Sequence, residues 1–309
     1  MACGIDIGGT KTALTLFDRS LTPIGSWRKP TPKRDYCAFL DTVAVMVRTA
    51  DAAAGSRQSV GLALPGVVDA DGRTVSVHLP CLNGRRVVAD IACALGRPVV
   101  HDNDVRAFTL SESRGGALEG VRIGMGVILG TGVAATLCLD GKLYPSRRGV
   151  AGEFGHIALP PDLFATYDLQ VADCACGAAG CAEQVLSGPG LLRLAERLGA
   201  RYAHVEALVE DLRAGVPRAG RAFSAYVDCL GYFLSRLTLT LDPETVVLGG
   251  GLSSITELYE RLSAPMAARL FDGVAPPRVV PPRFGAAGGA RGAALLAAAT
   301  SIRSDPARA

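Results

Sequence analysis

Apolar and polar positions alternate from the first residues of the chain. Cys3-Gly4-Ile5-Asp6-Ile7 reads as a strand, Gly8-Gly9-Thr10-Lys11 as a turn, and Thr12 to Phe17 as the returning strand, closed by Asp18. The pattern recurs further on. Gly126 to Asp140 aligns without gaps on Gly4 to Asp18, with the apolar run, a Gly/Thr turn at Gly130-Thr131-Gly132, a β-rich return from Val133 and a final aspartate in register. Such self-similarity predicts a duplicated strand-turn-strand unit, one in each of two domains. Between the copies, Phe39, Leu40, Val43, Val47 and Ala50 fall at helical spacing within Tyr36 to Ala54. Ser59 to Leu64 then reads as a strand ending at Pro65-Gly66, where a glycine lets backbone approach a ligand. Arg97 to His101 is a short strand that delivers Asp102-Asn103-Asp104 to a helix over Val105 to Ser113.

Beyond the second copy, leucine spacing predicts helices over Leu186 to Leu198 and Phe223 to Leu241, the latter stopped by Asp242-Pro243. Thr245 to Leu248 reads as a buried strand running into Gly249-Gly250-Gly251, with a helix from about Thr256. Three glycines there let a flat base lie against backbone, or simply turn strand into helix. Gly285 to Ala298 is rich in Gly and Ala, with a helical second half, and Ser301 to Ala309 is polar and expected to fray. Strands alternating with helices predict an α/β protein.

Three cysteines crowd one stretch. Cys174, Cys176 and Cys181 lie within eight residues, and His156 stands eighteen residues before the first. Together they make a Cys3His set, which suits a zinc ion in a closed, structural tetrahedron; three free thiols and an unrelated histidine are the plainer alternative. Carboxylates flank the set at Glu153 and Glu183, where a metal-pinned loop would hold them rigidly.

Composition narrows the classes of function. With 309 residues, 49% apolar and 20% charged, the chain is expected to form about two soluble domains. A net charge of +3, with basic runs only at Arg85-Arg86 and Arg147-Arg148, argues against nucleic acid or membrane as partner. No apolar run approaches the ~20 residues of a membrane span. An odd cysteine count of nine and a strand pattern at the N-terminus, instead of an export segment, predict a cytoplasmic protein.

Phosphate chemistry is suggested by the first turn. Gly4 and Gly9 have P-loop spacing, but Thr10 stands where the lysine of that motif belongs and a strand, not a helix, follows. Its backbone N–H groups, hydroxyl and ammonium still suit phosphate oxygens. Asp104, at the head of a helix, is the candidate general base for a hydroxyl that attacks phosphorus; Asp102, Asn103 or Asp104 could equally cap that helix.

Glu153-Phe154-Gly155-His156 followed by Cys174-Ala175-Cys176-Gly177-Ala178-Ala179-Gly180-Cys181-Ala182-Glu183 resembles the signature of the ROK family of sugar kinases, most closely its bacterial N-acetylglucosamine kinases, and the resemblance runs from Gly4 to about Ala297. It implies a two-domain actin-like ATPase (ribonuclease H-like) fold with a duplicated core and a zinc-bound loop. The implied domains are 1–118 with about 290–309 crossing back, and 119–289 carrying the zinc motif and a dimer surface. It implies ATP with Mg²⁺ against Gly4, Asp6, Gly8, Gly9, Thr10, Lys11, Gly130, Thr131, Gly132, Val133 and Gly249 to Gly251, the two turns facing each other across a cleft. Asp104 matches the catalytic aspartate, and Gly66, Asn103, Glu153, His156 and Glu183 match sugar-binding positions. Zinc would sit on His156, Cys174, Cys176 and Cys181. The expected reaction is phosphorylation of the C6 hydroxyl of N-acetyl-D-glucosamine by a homodimer; a sister hexokinase for glucose, fructose, mannose or N-acetylmannosamine, or a non-catalytic sugar sensor, are the alternatives. No helix-turn-helix pattern precedes Cys3, which points away from repressor members. The chain departs from the family at Val105-Arg106, at Ala134-Ala135-Thr136, and at His78, where those kinases carry asparagine; the pocket near Gly66, His78 and Asn83 is where sugar choice is expected to lie.

Overall fold

The structure is a computed structural model that describes residues 1–147 and 149–303, the last four of these for backbone only. In chain order its elements are β1 (Ala2–Ile7), β2 (Lys11–Phe17), β3 (Pro23–Pro30), α1 (Tyr36–Ala54), β4 (Ser59–Leu64), β5 (Val67–Val68), β6 (Thr74–Val75), α2 (Val87–Leu95), β7 (Val99–Asn103) and α3 (Asp104–Ser113). There follow β8 (Ile123–Leu129), β9 (Val133–Leu139), β10 (Lys142–Leu143), α4 (Pro161–Thr166), α5 (Glu183–Leu186), α6 (Gly188–Arg197), α7 (Val205–Arg213) and α8 (Pro217–Leu241). The chain ends with β11 (Thr245–Gly249), α9 (Glu257–Arg261), α10 (Ser263–Ala267), β12 (Arg278–Val280) and α11 (Gly288–Arg303).

Two compact units emerge, the first from Met1–Glu119, Gly141–Ala151 and Arg283–Ala309, the second from Gly120–Asp140 and Gly152–Pro282. The segment Gly141–Ala151 thus belongs with the first unit, although it lies between stretches of the second.

In the first unit the sheet order is β3-β2-β1-β4-β7. β1 and β2 form an antiparallel hairpin, and β4 and β7 add in parallel. One face is covered by α1 and α2, whose Phe39, Val43, Val47 and Ile91 bury against Ile5, Leu14 and Leu62. Asp35 caps α1 by accepting the Ala38 N–H, and Gly55, at φ 68°, ends it. On the other face lies α11. Its approach is set by missing side chains: a Cβ on Gly4 would lie 1.7 Å from the Ala290 carbonyl oxygen, one on Gly61 1.8 Å from that of Ala293, and one on Gly292 1.8 Å from that of Ala107 in α3.

In the second unit β8 pairs antiparallel with β9 and parallel with β11, which pairs parallel with β12. This repeats the β2-β1-β4-β7 arrangement of the first sheet, as the sequence echo requires. The 25-residue α8 runs through the core, burying Phe223, Tyr226, Leu230 and Leu234 among Val127, Leu186, Leu208 and Leu258. Its start at Pro217 fits proline's fixed φ at a first helical position, and Asp242, at φ 47°, ends it just before Pro243.

Several boundaries differ from those expected. The predicted Leu186–Leu198 helix is α6, which starts two residues later; Leu186 ends the preceding α5, because Ser187 leaves helical geometry and caps α6 through the Gly190 N–H. The helix expected from about Thr256 is the pair α9 and α10. The Arg97–His101 strand sits two residues later, so that Asp102 and Asn103 are themselves strand residues. Of the tail expected to fray, residues 304–309 lie outside the described ones. No helix among the described residues is long and apolar enough to cross a membrane.

Close backbone packing makes a sharp contrast among glycines. Gly61→Ala is expected to cost ~3 kcal/mol or more, since the carbonyl it meets is held in a helix and cannot yield. Gly220→Ala, in α8 with nothing within 4 Å of the new Cβ, should be neutral or stabilise by ~0.5–1 kcal/mol. Denaturant midpoints of the two variants test this; equal midpoints would contradict it.

Candidate functional site

The first unit gathers acids at the C-terminal ends of β1 and β7. Asn103 ends β7 and caps α3, its Oδ1 accepting the Val105 N–H at 2.9 Å while its Nδ2 donates to the Gly66 carbonyl at 3.0 Å. Gly66 can sit there because it has no side chain: at φ 92°, a Cβ would lie 2.1 Å from the Val75 carbonyl oxygen. Capping therefore falls to Asn103, and Asp104 becomes the first helical residue, its own Oδ1 2.8 Å from the same Val105 N–H.

Surrounding protein pushes the Asp104 carboxyl up to about 6, against the pull of the Val105 amide and of His78, which lies within electrostatic reach. Asp6 is pushed further, to about 7, first by desolvation and then by the Asp104 charge, with Lys11 opposing. Its carboxylate packs on the first turn of α11, where a Cβ on Gly289 would be 2.8 Å from Asp6 Cγ. The Asp104 charge thus bears on Asp6, and the Lys11 ammonium offsets it in part.

The Gly8–Lys11 turn is closed by the Gly8 N–H on the Lys11 carbonyl at 2.9 Å. Thr31, at the end of β3, braces it by donating its hydroxyl to the Gly8 carbonyl at 2.8 Å and its N–H to that of Thr10 at 3.1 Å. Thr10 and Lys11 are exposed. Gly4 is different. It lies buried in mid-strand with α11 backbone where its side chain would be, so its identity serves packing.

A cavity of about 560 Å³ opens beside Asn103, lined by Gly66, Val67 and Asp102 on one side and by Ser146, Arg147 and Gly149 on the other. Sequence reasoning missed this second wall, whose residues carry no motif. Asn83, expected near the sugar, instead accepts the Ser76 N–H at 2.6 Å and shapes the loop that carries His78.

In the second unit the Gly130-Thr131-Gly132-Val133 turn is tied from behind. Glu183, 4% exposed, accepts the Val133 N–H at 3.0 Å, and Gly188 donates to the Gly130 carbonyl at 2.8 Å. The Val133 amide is thereby committed to protein. Ala135 donates to the Gly152 carbonyl at 2.8 Å, and Gly155 lies so close to this strand that a Cβ would meet the Val133 oxygen at 2.0 Å. Of the three glycines after β11, Gly250 has φ 80° and backs onto the Leu129 carbonyl, while Gly251 faces open space.

His156, Cys174, Cys176 and Cys181 come together with all four donor atoms within 4.8 Å of one another. Glycine turns at Gly177 (φ 94°) and Gly180 (φ 76°) fold the knuckle, and the Cys174 N–H on the Ala178 carbonyl closes it at 2.8 Å. Cys176 Sγ is 3.7 Å from Cys181 Sγ, and Cys174 Sγ is 3.5 Å from His156 Nδ1. Tetrahedral zinc with bonds of ~2.3 Å to sulfur and ~2.0 Å to nitrogen sets these edges at ~3.8 and ~3.5 Å, so the donor set fits. Burial pushes the Cys181 thiol up to about 12, and a backbone amide at Ala178 draws the Cys176 thiol down. The other ring nitrogen, Nε2, is 3.6 Å from Glu153 Oε2, the arrangement in which a carboxylate orients a ligating histidine.

The ROK family model matches residues 2–300. This chain belongs to the ROK family. It is 45% identical over 296 residues to the N-acetylgalactosamine kinase AgaK of Shewanella sp. (strain ANA-3), covering 96% of each chain. It is 36% identical over 299 residues to the N-acetyl-D-glucosamine kinase of Yersinia enterocolitica, covering 96% of this chain and 99% of that one. A crystal structure of a ROK family glucokinase from Streptomyces griseus in complex with glucose and AMPPNP superposes with a TM-score of 0.81 at 27% identity, covering 96% and 99% of the two chains. The ROK fold, an actin-like ATPase fold, is thus that of this chain, and the doubled strand order is its internal repeat.

Two outcomes follow from the geometry. Metal analysis of the purified chain should count one zinc per chain, and Cys181→Ser should abolish it; full occupancy in that variant would remove Cys181 from the set. Because Asp6 and Asp104 hold protons more tightly when folded, against 3.8 for a free carboxyl, their contribution to stability falls as pH rises from about 4 to about 7. Asp6→Asn should therefore flatten that fall and stabilise the chain at pH 8 by on the order of 2 kcal/mol. A variant with the wild-type pH profile would argue against the strained pair.

Proposed function

We propose that the chain is an ATP-dependent kinase that phosphorylates the C6 hydroxyl of an N-acetylhexosamine. The observation carrying this reading is the near full-length similarity to two kinases for such sugars, joined to an Asn103-Asp104 pair seated at a helix head above a cavity. The expectation of N-acetyl-D-glucosamine widens here to include N-acetyl-D-galactosamine, because the relative acting on the galacto sugar is the more similar of the two.

Asp104 accepts the C6 proton as that oxygen bonds the γ-phosphorus and the bond to the bridging oxygen breaks, releasing ADP. A carboxyl raised to about 6 is a stronger base than an ordinary one yet still ionised at pH 7. Gly66, Asn103, Glu153 and His156 are the residues assigned to the ring hydroxyls. Thr10, Lys11, Gly8, Gly9, Gly130, Thr131 and Gly132 contact the phosphates, and Gly251 the adenosine. Asp6 is the carboxylate that would hold a Mg²⁺ ion brought in with ATP, which would supply positive charge to the phosphates. His156, Cys174, Cys176 and Cys181 would hold a zinc ion that keeps Glu153 and His156 in place and, with four protein ligands and no open position, would be structural.

Mass spectrometry of products from N-acetyl-D-galactosamine, N-acetyl-D-glucosamine, N-acetyl-D-mannosamine and glucose tests the reading; it fails if no N-acetylhexosamine 6-phosphate forms. Asp104→Asn is expected to keep sugar binding while kcat falls by several orders of magnitude. In the wild type kcat/KM should drop about tenfold per pH unit below about 6, as the base takes up its proton.

A further inference from the structure

The Gly141–Ala151 segment supplies one wall of the cavity beside Asn103, and a single side chain ties that wall to the helix head. Arg106 lies one turn into α3, four residues after Asp102. Its Nε is 2.6 Å from Asp102 Oδ1, and the same oxygen accepts the Asn103 N–H at 2.8 Å. Its NH1 donates to the Tyr144 carbonyl at 2.8 Å, just past β10. The two side chains are only 12% and 22% exposed, so the pair is largely withdrawn from solvent and its geometry is held. From Tyr144 the chain runs on to Ser146, whose hydroxyl accepts the Ala151 N–H at 3.0 Å, and to Gly149, where an added Cβ would already touch Val67 at 3.4 Å.

Each end of this brace therefore has a distinct job. The Asp102 end fixes the peptide leading into Asn103-Asp104, and the Tyr144 end fixes how far Ser146 and Gly149 stand from Gly66 and Val67. Guanidinium geometry is needed for both at once, because its two nitrogens point in set directions; an ammonium reaches one or the other. An asparagine at this position would be too short to reach across.

We propose that Arg106 is a positioning residue that sets the width of the sugar cavity by bracing the Gly141–Ala151 segment against Asp102. The proposal rests on the kinase reading above for its kinetic arm and on the fold alone for its structural arm. Arg106 does not touch the reacting atoms, so its loss acts on sugar binding more than on turnover.

Steady-state kinetics and amide hydrogen exchange on the full chain decide it. Arg106→Ala should raise the KM for the N-acetylhexosamine by about tenfold or more, with kcat within about threefold and the KM for ATP unchanged. Exchange in peptides spanning Lys142–Arg147 should quicken, while exchange in α11 stays at the wild-type rate. Arg106→Lys should recover part of the sugar KM. Equal falls in activity toward both substrates with faster exchange throughout would show a merely structural role and overturn the proposal, as would an unchanged sugar KM. Should the wild type phosphorylate no sugar in the panel, the kinase reading falls; wild-type exchange at Lys142–Arg147 in Arg106→Ala would then still sink the brace, and faster exchange confined there would sustain it.

Discussion

The first unit depends on backbone touching backbone. Gly4, Gly61 and Gly292 each omit a side chain at a point where a carbonyl of α11 or α3 would otherwise be struck. The glycines of β1 and β4 let α11 settle onto the sheet at a distance ordinary side chains forbid, with Ala290, Ala293, Ala294 and Ala297 filling the seam. A helix with so many glycines and alanines has little apolar surface per residue, and each helical glycine costs ~1 kcal/mol of conformational freedom. Dispersion across a tightly closed seam must offset that. The functional consequence is local: the same approach brings the N-terminus of α11 over Asp6, with Gly289 as the residue that makes room.

A second constraint fastens the chain where it leaves and re-enters this unit. Glu112, fully buried near the end of α3, accepts the N–H groups of Ala117, Arg283 and Phe284 at 2.9, 3.0 and 3.1 Å. Arg291 of α11 donates to the Ser111 carbonyl at 2.9 Å and stacks its guanidinium 3.8 Å from the Phe284 ring centre. A buried carboxylate satisfied by three amides, beside a buried guanidinium, ties the outgoing and returning strands of chain to one point. α3 is thus held at its C-terminal end by Glu112 and at its head by Asn103 and Arg106, so Asp104, at that head, has little freedom to drift.

How much of this could be read from residues alone varied with the kind of signal. The duplicated hairpin was legible because period-2 patterning and a Gly/Thr turn recur in register, and the sheet orders repeat accordingly. β3 was not: it is an edge strand with a proline at each end and most side chains in solvent, so it lacks the alternation that marks a half-buried strand. Nor was α2, which has no capping side chain to announce it. The Cys3His set was legible from spacing, since metal chemistry restricts donors to few residue types. The Glu183–Val133 tie was not, because its partners are 50 residues apart and one is a backbone amide. Arg106 carried half a signal: an aspartate four residues before an arginine predicts a helix-face pair, but Asp102 lies in the strand, and the Tyr144 carbonyl has no sequence signature.

The places where local preference was overruled are the ones nearest the chemistry. Asp6 and Asp104 are carboxylates with too little water around them, and the Asp104 charge raises the cost of ionising Asp6. A fold selected for stability alone would separate them or substitute amides. Keeping them leaves the Asp6 carboxyl raised to about 7, a cost that the rest of the fold must offset. The glycine seam seats α11 against Asp6, with Gly289 leaving room for the carboxylate, so the packing of the first unit also sets the solvent-poor surroundings that raise the Asp6 carboxyl.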